Sequence, residues 1–134
     1  MYKNLEKIYE DHEQVEFIVA TGSHVYLEIF DNYTIRFHHG DDIRYYGGVG
    51  GLTIPLNKAI AGWDTVKKAD LTVIGHFHQL TDIGNAVVNG SLIGFGPYAL
   101  SIKAPYEPAQ QAFFLIHETH GKTIFSPIQV MVED

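Results

Sequence analysis

LTVIGHFH, residues Leu71 to His78, is the stretch on which the reading of this chain turns. Its first half is apolar and β-branched, and charges flank it only upstream. That pattern predicts a short strand buried on both faces, as in a parallel sheet. Gly75 relaxes the backbone at the strand end, and two imidazoles follow at i and i+2, His76 and His78. On an extended backbone, alternation sends both side chains the same way at the carboxyl end of the strand. Open α/β sheets collect their sites there. Taken alone, the pair reads equally well as two polar loop residues.

Working outward, Ile35 to Asp42 (IRFHHGDD) repeats the arrangement, an apolar strand running out into His38, His39, Gly40 and Asp41. A polar strand exit with a solvated Asp pair is the plain reading. Two such exits in one small chain point to metal, since imidazole is the commonest metal ligand and carboxylates orient it. His24 to Phe30 and Tyr33 to His38 predict a hairpin about an Asp31-Asn32 turn. Val15 to Ala20 (VEFIVA) reads as a further strand, Tyr2 to Glu10 as a short amphipathic helix, and Ile54 to Lys68 as a helix with Pro55 in its first turn. Gly40 to Gly51 is a glycine-rich loop of functional type. Asn85 to Val88 is a short strand, Gly94 to Pro97 a loop, and Ala112 to Ile116 with Thr123 to Phe125, or a longer strand continuing to Val132, a closing hairpin around Gly121-Lys122. The sum is an α/β (α+β) chain, rich in strand. No repeat or linker divides it, so residues 1–134 are read as one domain.

Composition agrees with a folded chain: 46% hydrophobic and 19% charged over 134 residues, enough for one core. The net charge of −7 argues against a broad basic face for nucleic acid, though not against local contact with a phosphodiester through metal ions. With no cysteine, disulfides, thiolate metal sites and cysteine nucleophiles are excluded. Apolar runs are too short to span a bilayer, no charged-then-apolar leader opens the sequence, and a cytoplasmic location is expected.

Val73 to Gln79 (VIGHFHQ) resembles the terminal GHxH motif of the calcineurin-like metallophosphoesterases, and Phe37 to Asp41 (FHHGD) resembles the histidine motif that precedes it. Val87 to Gly94, Pro97 to Ala99 and Pro105 to Phe114 are similar to the tail of phage-encoded members described as phosphoesterases or DNA repair exonucleases. The resemblance runs from about Val15 to the end. It implies half, or a reduced version, of a two-sheet sandwich with outer helices. It also implies a divalent-metal pair at the strand ends, with His39 and His76 on one ion and His78 on the other. His39 is preferred to His38 because the glycine follows it directly. Asp41 is then either a group orienting His39 or a solvated loop acid. Asn89 and Ser91 either contact substrate or form an Asn-Gly turn with its capping serine.

The upstream motifs of the family, Asp-x-His, Gly-Asp and Gly-Asn-His, have no counterpart here. Two cations about 3.5–4 Å apart need a bridging carboxylate to offset their repulsion, and three imidazoles supply no such charge. The leading expectation is therefore the carboxyl-terminal part of a split metallophosphoesterase. A complementary amino-terminal chain would complete the site, and a metal-activated water would attack a phosphodiester or phosphomonoester, DNA included. Manganese leads as cofactor, with iron, zinc and nickel also suited to the ligands. The alternatives are a non-catalytic relic serving as a binding or structural module, and a homo-oligomer burying the same face. His117 and His120 are read as a solvated hairpin tip, Tyr45-Tyr46 as either a nucleobase platform or cover for the core, and His12 and His24 as surface residues.

Overall fold

A computed structural model describes residues 2–45, 51–101, 103 and 105–130 of the chain. In chain order the elements are α1 (Tyr2–Ile8), β1 (His24–Ile29), β2 (Tyr33–His38), α2 (Thr53–Asp64), β3 (Leu71–Ile74), β4 (Thr81–Asp82), β5 (Ala86–Val88), α3 (Pro97–Ser101), β6 (Gln110–His117) and β7 (Gly121–Gln129). Five strands form one sheet in the order β1-β2-β3-β5-β4, and β6 with β7 forms a second. Strand β3 runs parallel to both its neighbours, β2 and β5, in keeping with its mostly apolar, β-branched sequence.

Strand periodicity sorts the core into two layers. Ile74, Ala86 and Val88 face α2, where they meet Leu56 and Ile60. Leu71, Val87 and Ile35, on the alternate positions, face the β6–β7 hairpin and pack with Ala112, Phe114, Ile116 and Phe125. The main sheet is thus covered by a helix on one side and by a two-stranded sheet on the other.

Arg36 lies on the helix-facing side of β2 and is fully buried. Its guanidinium donates to Asp64 Oδ1 at 2.6 Å and to the Lys67 carbonyl, lies 3.4 Å from Tyr26 Oη and Thr72 Oγ1, and stacks against the Tyr26 and Trp63 rings. This explains why α2 ends at Asp64 rather than at Lys68: the Lys67 carbonyl is turned onto β2, and Ala69 N–H reaches back to Asp64 Oδ1.

Three other expectations change. Val15–Ala20 is not a strand: it passes Val25 of the edge strand β1 without forming ladder hydrogen bonds to it, and Phe17 stacks on Tyr9. The two-residue β4 and the one-turn α3 were not expected. Residues 46–50 of the glycine loop, Tyr46 among them, lie outside the described residues, while Tyr45 packs on the α2-side core beside Phe77.

The buried ion pair is asymmetric, with side-chain exposure of 0% for Arg36 and 29% for Asp64. Asp64→Ala strands a buried cation and is expected to cost roughly 3–5 kcal/mol of unfolding free energy, whereas Arg36→Met replaces the charge by packing and is expected to cost far less. Urea titrations of the two variants, compared at equal m-value, check the ranking.

Candidate functional site

Because β2 and β3 are parallel and in register, His38 beside Ile74, the segments that follow them emerge side by side. Gly75 N–H donates to the His39 carbonyl at 3.1 Å, tying the two exits together. Gly40 has φ +102°, and a Cβ there would lie 3.3 Å from the Phe77 ring and 3.5 Å from the Gly75 carbonyl, so only glycine fits without strain. The exits border a cleft of about 570 Å³, with Val25, Phe37 and Val73 among the apolar groups lining it and Ser23, His39, Asp41 and Asn89 among the polar ones. The hairpin that covers Ile35 and Leu71 does not close over Phe37, which stays 37% exposed.

Of the three histidines singled out by sequence, His39 and His76 come together. His76 Nδ1 and His39 Nε2 are 3.3 Å apart, and the rings meet edge to face. One nitrogen must carry the proton and the other accept it, so each ring spends a lone pair or a proton on its neighbour. His78 goes elsewhere: it packs against Tyr98 and lines a small recess with Ser91, Phe95 and Glu107. The extended-backbone expectation fails for a specific reason. His76 and His78 have φ of 66° and 53°, the left-handed region, so alternation does not apply between them.

Among the described residues no group of three His, Cys, Asp or Glu side chains is placed to hold a metal ion. This overturns the expected divalent-metal centre on His39, His76 and His78, with manganese, iron, zinc or nickel as cofactor. It also overturns the metal-dependent phosphoesterase function that rested on it. The residues do not fit the group: two rings face each other, the third is turned away, and no carboxylate completes the set.

Of the remaining candidates, Asn89 alone makes side-chain hydrogen bonds within the described residues. Asn89 donates from Nδ2 to Gln111 Oε1 and accepts at Oδ1 from Ala112 N–H, both at 2.8 Å, so its amide fastens β5 to β6. The Ser91 carbonyl accepts from Gln110 N–H at 3.0 Å. Asp41 is exposed at the cleft rim. Two residues passed over in the sequence matter more. Glu107 accepts from Leu80 N–H and Gln110 Nε2, joining the segment after His78 to the base of the hairpin. His24, expected at the surface, is half-buried against His38 and Trp63.

Since no site among the described residues gathers three ligands, millimolar manganese or zinc is expected to leave the thermal midpoint where it stands in chelator. A bound ion at a hundredfold excess over its Kd would add about 2.7 kcal/mol, a shift of several degrees, which differential scanning calorimetry would register.

No family model matches the sequence, and no curated protein does. Among solved structures, the chain is similar to wild-type Vps29 complexed with Zn2+ from Entamoeba histolytica, at 16% identity and a TM-score of 0.52, over 87% of this chain and 66% of that one. A single mutant of the same protein gives 15% identity, a TM-score of 0.51, and coverage of 88% and 66%. The chain therefore spans just under two thirds of the length of the structures it matches. At such identity the likeness concerns the fold alone: a mixed α/β arrangement of two β-sheets with flanking helices.

Proposed function

We propose that this chain is a non-catalytic binding module on a reduced phosphoesterase-like sandwich, and that it self-associates through the outer face of the β6–β7 hairpin. The observation that carries the reading is the apolar character of that face. Inward positions of the hairpin pack on the main sheet. Outward positions carry Phe113, Leu115, Ile124 and Ile128, between 42% and 51% exposed. Leu115 sits directly across from Ile124, so the side chains form one stripe. Scattered apolar residues need no partner, but a contiguous stripe on a two-stranded sheet favours association.

Size limits the strength. Strand β6 has 8 residues, about 27 Å at ~3.4 Å per residue, and a face two strands wide offers a few hundred Å² on the order of a small interface. Association in the micromolar range is the expectation. The lost metal geometry supports the non-catalytic half of the reading, and the reduced sandwich supports the other half.

Sedimentation velocity from low to high micromolar concentration should show a reversible rise in mass for the wild-type chain, abolished in Leu115→Lys and in Ile124→Glu with the far-UV spectrum unchanged. A wild-type monomer throughout that range would refute self-association. Manganese-dependent cleavage of a generic phosphodiester above background would refute the non-catalytic assignment.

A further inference from the structure

Three rings from three elements meet on the helix side of the sheet, away from the hairpin face. His24 opens β1, His38 ends β2, and Trp63 lies in the last turn of α2. The ring centroids are 4.4 Å apart for His24 and His38, 5.0 Å for His24 and Trp63, and 4.7 Å for His38 and Trp63. His38 Nδ1 accepts the Gly40 N–H at 2.8 Å, which puts its proton on Nε2, 3.7 Å from Asp42 Oδ2. His24 Nδ1 is hydrogen-bonded with Ser23 Oγ at 2.9 Å, while its Nε2 is buried without a partner. An added proton on His24 would therefore leave a charged ring with one buried nitrogen and no acceptor.

The charges around it make matters worse. Strand β2 presents Arg36 and the His38 ring, and the Tyr26 phenol follows on β1. Asp64 of α2 is engaged by Arg36, and Lys67, beyond α2, is paired with Glu28 and lies over Tyr26. Among the described residues, Asp42 is the carboxylate that favours a cation at His24. The His24 pKa is accordingly lowered from 6.5, first by burial, then by His38 and Arg36, with Asp42 opposing.

His24 and His38 form the first rung of the β1–β2 ladder. Ser23 and Val25, on either side of His24, line the cleft that His39 and Asp41 border from the other side. From this geometry we propose that the His24–His38–Trp63 stack is an acid-sensitive latch: proton uptake at His24 opens the first rung and moves the Ser23–Val25 wall of the cleft. A neutral histidine whose folded pKa is depressed contributes stability that is complete above the unfolded value of 6.5 and is lost as pH falls through the lower folded value. The latch is therefore shut at neutral pH and opens in mild acid. It stands independently of the self-association reading.

Trp63 is the sole tryptophan, so its fluorescence reports the stack directly. Titrating the full chain from neutral to mildly acidic pH is expected to give a reversible emission change centred below pH 6.5, with the far-UV spectrum retained. His24→Phe, which keeps a ring in place, and His24→Gln, which keeps a polar one-proton side chain, should both lose the transition. A transition unchanged in both variants, or abolished by His38→Phe alone, would overturn the assignment to His24. Loss of far-UV signal in step with the fluorescence would overturn it as well, because that is global acid unfolding rather than the opening of one rung.

Discussion

A single guanidinium holds the helix layer to the sheet. Arg36 is sealed between Tyr26 and Trp63 and ends on Asp64 and the Lys67 carbonyl, so the position of α2 is fixed by polar contacts at its carboxyl end and by Leu56 and Ile60 along its length. A buried charge of this kind contributes little net stability over an apolar substitute; its effect is on geometry. With α2 fixed, Trp63 is fixed, and with Trp63 the two imidazoles beneath it. The end of β2 is thereby held where it can run into the cleft beside the end of β3.

At that cleft the backbone, more than the side-chain inventory, decides what chemistry is available. Three histidines arrive at the ends of two parallel strands, an arrangement well suited to cations. Left-handed residues at His76 and His78 then send the rings in different directions, and His76 spends its nitrogen on His39. Non-glycine residues in that region are held there by surrounding structure. Here the restraints include the Gly75–His39 hydrogen bond on one side and the Glu107 carboxylate on the Leu80 amide on the other.

The sequence disclosed what periodicity encodes. LTVI reads as a doubly buried strand and the β-rich runs on either side of Asp31-Asn32 as a hairpin, and both elements are present. It concealed what depends on partners distant in the chain. VEFIVA has strand composition, but a strand is a relation between segments, and this one passes the β1 edge without pairing to it. The mutual hydrogen bond of His39 and His76 spans 37 positions and leaves no trace in local spacing. His24 is a different case. A two-residue Asp31-Asn32 turn would set it opposite His39, but the loop takes in Phe30 as well and pairs Ile29 with Tyr33, which sets His24 opposite His38; its burial follows from that one-residue shift and from Trp63 on a distant helix.

Strand β1 forms the outer edge of the main sheet, and the unpaired Val15–Ala20 segment passes it without closing it. Six residues of high β-propensity with no ladder to occupy are the kind of stretch from which fibrils nucleate. Glu13 and Glu16 stand beside and within it, where like charges stacked in register would repel one another; they serve as gatekeepers. Solubility of the amino-terminal arm is then an electrostatic property, and high salt weakens it by screening those two carboxylates.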